Sequence, residues 1–127
     1  MNYKKPFNFL NNLPNKLNNF YKKKSKFSFK IDNKSKSIKN FDPVTDIDRG
    51  FEKYIRLLIH KSFPDNSIIG EEFEDKFSIS DYQWCIDPID GTRAFIIGAP
   101  TWSNLIGLSY KKKSILGFQV LTGDVST

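Results

Sequence analysis

The chain has 127 residues, 39% of them apolar and 15% aromatic, which is enough for one domain with a real core and too apolar for a disordered polypeptide. Its formal charge of +6 is unevenly spread: residues 1–40 hold 11 lysines and one acid, and the rest of the chain is net −4. No run of about 18 apolar residues is present to span a membrane, and the single cysteine, Cys85, has no second thiol to pair with and suits a reducing cytosol.

The opening MNYKKPFNFLNNLPNK has early lysines but no continuous apolar stretch, so a signal peptide is not expected. Phe7, Leu10, Leu13, Leu17, Phe20 and Tyr21 recur at helical spacing and predict an amphipathic helix, which Pro14 should break, kink or delay. KFSFKID alternates Phe27, Phe29 and Ile31 with polar neighbours, the period of a half-buried strand. Residues 33–42 are polar and basic and read as a mobile loop or hairpin arm. A basic arm attracts nucleic acid or membrane surfaces. This one is mixed with asparagine and phenylalanine, a compositional bias, and neither partner is expected.

The second helix is the clearest element. Thr45 suits the N-cap, Asp46 and Asp48 lie near the positive end of the helix dipole, and Ile47, Phe51, Ile55 and Leu58 make a buried stripe. Lys61 belongs in the last turn and Pro64 marks the stop. Gly50 costs this helix about 1 kcal/mol relative to alanine. His60, at the helix end, is explained by a dipole contact and receives no catalytic role. SIIG (67–70) predicts a short strand leading to Glu71-Glu72. QWCID (83–87) predicts a buried strand, with Cys85 a small buried hydrophobe. WSNLIGLSY (102–110) and SILGFQVL (114–121) predict an antiparallel hairpin joined through the lysines between them. With no internal repeat, the pattern is α+β: helices packed on a mostly antiparallel sheet.

Acidic residues then fall at element ends: Asp48, Glu71 with Glu72, Asp87 and Asp90. Such ends let side chains converge while the scaffold stays rigid. Pro88 is expected to stop the strand and stiffen a turn that returns Asp90 beside Asp87, with the Ile89 carbonyl facing the same point. Two close carboxylates repel unless a cation lies between them. With a carbonyl they form a hard oxygen set suited to Mg2+. Gly91-Thr92 predicts a turn opening a helix, whose free N–H groups would cradle a phosphate. D-x-x-D alone usually marks a solvated turn or a cap. It is the combination that points to phosphate chemistry.

DPVTDID (42–48), GEE (70–72) and WCIDPIDGTRAF (84–95), in this order and spacing, resemble the inositol monophosphatase family of Mg2+-dependent, lithium-sensitive phosphomonoesterases. The run DGTRAFIIGAPTW resembles the histidinol-phosphatase branch more than the inositol branch, which usually reads DGTTNF. The likeness extends over about residues 25–118. It implies the layered α-β-α-β-α sugar-phosphatase fold, with residues 1–24 a basic helix and 25–127 the metal-binding phosphatase domain.

The resemblance also implies roles. Glu71, Asp87 and the Ile89 carbonyl would hold a first Mg2+, and Asp87 and Asp90 would contribute to a second, in a complete site of two or three ions. Glu71 and Thr92 would orient and activate the attacking water, with Asp48 hydrogen-bonded to Thr92. Asp90, Gly91 and Thr92 would bind the phosphate. Glu72 is the second acid of its pair, and Lys39, or Lys36, is the candidate for a lysine that the family carries on the loop before DPVT. The implied partner is a small phosphorylated metabolite of the cytoplasm, in histidine biosynthesis, with a homodimer compatible.

One departure stands out. Family members are longer, and a second domain supplies a Trp-Asp motif that this sequence lacks. The expectation is a truncated or frame-disrupted member holding the N-terminal domain, with little activity alone. The alternatives are an inositol-1-monophosphatase and, in another class, a non-catalytic metal-binding fragment.

Overall fold

A computed structural model describes residues 3–24, 31–33, 43–90 and 103–120. Helix α1 (Lys4–Lys24) contains Pro14 without interruption, which corrects the expectation of a break or a later start. The missing proline N–H costs one internal hydrogen bond. The helix persists because Leu10, Leu13 and Leu17, on both sides of Pro14, are buried in the core. Phe7, expected on the apolar stripe, is exposed. Phe9 takes its place, meeting Phe63 and Trp84 edge-on with ring centroids 5.4 Å away in each case.

Strands β1 (Ile31–Asn33) and β2 (Pro43–Thr45) pair antiparallel, Ile31 opposite Thr45. Phe27, Phe29 and residues 34–42 lie outside the described residues. Helix α2 (Asp46–Ser62) starts directly after Thr45, with Asp46 and Asp48 in its first turn and His60 and Lys61 in its last. Ile47, Phe51, Ile55 and Ile59 are its buried apolar face. Leu58, expected there, is only partly buried because Ile59 points more directly inward. Gly50 serves the contact between the helices: a Cβ there would stand 3.1 Å from Phe20 Cζ. Phe20 stacks on Tyr54 with ring centroids 5.0 Å apart, so close approach offsets part of the glycine's helical cost.

The main sheet has the order β3 (Ser67–Ile69), β4 (Tyr82–Asp90), β5 (Ser103–Tyr110), β6 (Lys113–Val120). β3 runs parallel to β4, and the other two pairings are antiparallel. Side chains alternate between faces with period two, and directly paired residues share a face. The register therefore aligns Ile68, Trp84, Leu108 and Leu116 in one row and Ile86, Ile106 and Phe118 in the next. These rows join α1 and α2 in a single core, with Trp84, Phe51, Leu13 and Ile55 fully buried.

Two expectations about β4 are corrected here. Cys85 is exposed, not buried, because it follows Trp84 and so falls on the face away from the helices. Pro88 does not end the strand. A register shift between Asp87 and Asp90 absorbs it, and Asp90 pairs again with Ser103. The β5–β6 hairpin turns on Lys111 and Lys112 alone, with φ of 49° and 67°, while Lys113 already pairs with Tyr110. Two consecutive left-handed residues are the signature of a type I′ turn, whose twist matches the strands. Among the described residues no helix is long and apolar enough to cross a membrane.

Candidate metal and phosphate site

The parallel register between β3 and β4 places Ile69 opposite Cys85. Two residues further along each chain stand Glu71 and Asp87. Both line a depression of about 540 Å³ on the sheet face away from the helices. The hollow exists because Gly107 and Gly117 are paired directly in its floor and contribute no side chains. Glu71 is exposed and Asp87 half-buried, with its Oδ1 shielded from solvent. Thus two residues 16 apart in sequence reach one concavity through strand pairing.

The other predicted residues are placed as follows. Ile89 is 3% exposed, so its side chain is locked into the core while its backbone belongs to the irregular stretch of β4. The Asp90 backbone pairs with Ser103, but its side chain lies outside the described set, as do Gly91, Thr92, Lys36 and Lys39. Asp48 is 2% exposed in the first turn of α2, and Glu72 is half-buried. Among the described residues no three Asp, Glu, His or Cys side chains form a metal cluster. Two carboxylates on one depression, with no histidine among its lining residues, nevertheless fit a hard divalent cation that keeps waters and bonds phosphate oxygens.

Three further residues shape this region. Glu52, on α2, is fully buried. Its Oε1 accepts the backbone N–H groups of Glu71 at 2.8 Å and Glu72 at 2.9 Å, and its Oε2 accepts that of Phe73 at 3.1 Å. Arg56 donates its Nε to Glu52 Oε2 at 2.9 Å and its terminal nitrogens to the carbonyls of Glu74 and Phe73. Gly70 is required by this arrangement, since a Cβ there would lie 2.5 Å from Glu52 Cδ and 2.7 Å from its Oε1. On the other side, Asn104 is fully buried and its Nδ2 donates to the Pro88 carbonyl, tying down the bulge.

Sequence reasoning missed Glu52, Arg56 and Asn104. The available signal was Glu52 itself. A charged residue adjacent to Phe51 and three before Ile55, on an otherwise apolar stripe, must find partners if it is buried. Arg56 follows at the i+4 spacing that lets two helical side chains meet.

The sequence profile described as the inositol monophosphatase family matches residues 9–120. Over 75 residues the chain is 45% identical to the histidinol-phosphatase of Chlorobaculum parvum, a match covering 59% of this chain and 29% of that relative. The solved inositol monophosphatase (IMPase) of Thermotoga maritima superposes with a TM-score of 0.74 at 30% identity, covering 93% of this chain and 44% of that one. An IMPase/NADP phosphatase complexed with Mg2+ and phosphate superposes with a TM-score of 0.69 over 94% of this chain and 43% of that one. At 18% identity that likeness concerns the fold alone. The chain spans less than half the length of each of these relatives.

Proposed function

This chain belongs to the inositol monophosphatase family, and from that premise we propose that it carries the cation- and phosphate-binding part of a Mg2+-dependent phosphomonoesterase acting on histidinol phosphate. The observation that carries this reading is the delivery of Glu71 and Asp87 to one depression by neighbouring strands. Glu71, Asp87, Asp90 and the Ile89 carbonyl are the groups that would hold divalent cations. A bound cation supplies Lewis-acid polarisation of the phosphate and lowers the pKa of water.

The chain's own groups divide the remaining work. Glu71 and Thr92 orient the attacking water, the Glu71 carboxylate accepts its proton, and Asp48 accepts a hydrogen bond from the Thr92 hydroxyl and holds it in position. The N–H groups of Gly91 and Thr92 bind phosphate oxygens, as free amides at a helix start do. Asp90 is assigned to the same phosphate, and Glu72 and Lys39 are further candidates for contacting it. Histidinol phosphate is favoured by the RAFIIGAPTW segment and by the 45% identity to a histidinol-phosphatase. A reduced Cys85 accords with a cytoplasmic setting in histidine biosynthesis. A second reading, inositol 1-phosphate, is favoured by the likeness to the Thermotoga maritima IMPase over 93% of the chain.

The test is titration of the 127-residue chain with Mn2+ by electron paramagnetic resonance, alongside phosphate release from both esters. Binding by the wild type that weakens at least tenfold in Asp87→Asn is expected, on the scale by which metal sites lose affinity when a supporting group is altered. Turnover by the 127-residue chain is expected to be slow and Mg2+-dependent. Absence of any Mn2+ binding would sink the proposal. Binding with no hydrolysis of either ester would assign the non-catalytic metal-binding role instead.

A further inference from the structure

The loop 70–75 carries Glu71, an exposed residue that borders the depression. Its two ends are closed by reciprocal backbone hydrogen bonds between Ile68 and Lys76, each 2.8 Å long. Its interior is held by Glu52, which accepts three consecutive loop N–H groups. Arg56, 15% exposed at its side chain, joins the carboxylate to two loop carbonyls. Loop donors and acceptors thus meet one buried ion pair of α2.

We propose that Glu52 is a positioning residue for Glu71, fixing the backbone of this loop so that the Glu71 carboxylate is delivered to the depression it shares with Asp87. The inference rests on the reading of Glu71 as a cation ligand. A ligand must be held to within about 0.5 Å of its productive place, which an untethered polar loop does not achieve. The clamp acts on the Glu71 N–H itself, one residue unit from the side chain it aims.

The chemistry requires a carboxylate. An ionised carboxylate only accepts, with about four lone-pair sites. Glu52 uses four acceptor contacts here, three to the loop and one to Arg56. Glutamine keeps the shape but presents an NH2 group to at least one of those donors, leaving N–H facing N–H at a fully buried side chain. Gly70 belongs to the same device, because any side chain there would displace the carboxylate. A pair that served only to stabilise α2 would not direct five of its bonds at a loop 17 to 21 residues away.

The experiment combines two readouts on the full 127-residue chain: amide hydrogen exchange at Glu71, Glu72 and Phe73, and Mn2+ affinity measured where each variant is folded. Glu52→Gln is expected to speed exchange at those three amides and to weaken Mn2+ binding roughly 10- to 100-fold, the range seen when groups behind a ligand are altered. Ile59→Val, on the same helix, controls for lost stability and should leave both readouts unchanged. If Glu52→Gln does not fold, Gly70→Ala keeps the carboxylate but displaces it, and the same weakening is expected. A folded variant of either kind with wild-type Mn2+ affinity would overturn the positioning role. Wild-type chain that binds no Mn2+ would overturn the cation reading and this inference with it. The two failures are told apart by the wild-type titration.

Discussion

Trp84 and Cys85 are adjacent in sequence and lie on opposite faces of β4, one fully buried and the other exposed. Toward the helices, the sheet presents Ile68, Trp84, Ile86, Ile106 and Leu108, all at most 4% exposed. On the other face stand Cys85, Asp87, Gly107 and Gly117, bordering the depression. The first face holds the fold together through shape and apolar burial. The second contributes little packing and carries the acidic groups. A single strand can serve both because period-two alternation separates the demands of stability from those of chemistry.

The sharpest way to break this contrast is on the helix face. Trp84→Ala is expected to cost about 3–5 kcal/mol, as truncation of large buried aromatics does. Urea denaturation measures it, and a loss below about 1 kcal/mol would mean that this face is not the core. On the opposite face the sign reverses. Gly117→Ala should stabilise by about 0.4–1 kcal/mol, since a Cβ there meets nothing within 4 Å and the unfolded chain loses freedom. A destabilisation instead would reveal that this face is covered in solution. The smallest effect belongs to Cys85→Ser, expected within about 0.5 kcal/mol of wild type as an exposed substitution. Its companion measurement is thiol labelling of the native protein, which should proceed without unfolding.

Legibility differed between elements for physical reasons. Helix α2 could be read closely because its cap, charges, stripe and stop are all local signals. Pro14 misled because its local penalty is outweighed by the burial of Leu10, Leu13 and Leu17, a tertiary gain. Pro88 misled similarly: a bulge, with Asn104 donating to its carbonyl, lets the strand pass. Cys85 was assigned to the core by residue type, while its face was decided by its neighbour Trp84. In the candidate site, Glu71 and Asp87 stand out by their motifs, and strand register supplies the reason both border one depression. Glu52 and Arg56 are a pair that the i+4 spacing could suggest, but the loop N–H groups that Glu52 accepts lie 19 to 21 residues away and are not legible in the sequence.

Both helices, the four strands of the main sheet, the α+β class and the family could be read from sequence, because periodicity and contiguous motifs are properties of short stretches; the short strand β2 could not. Tertiary structure alone decided which face of β4 each residue occupies, how Pro88 is accommodated and what anchors the Glu71 loop. Those outcomes depend on pairing register and on the rule that a buried charge must be matched by donors, and both bring together residues far apart in the chain.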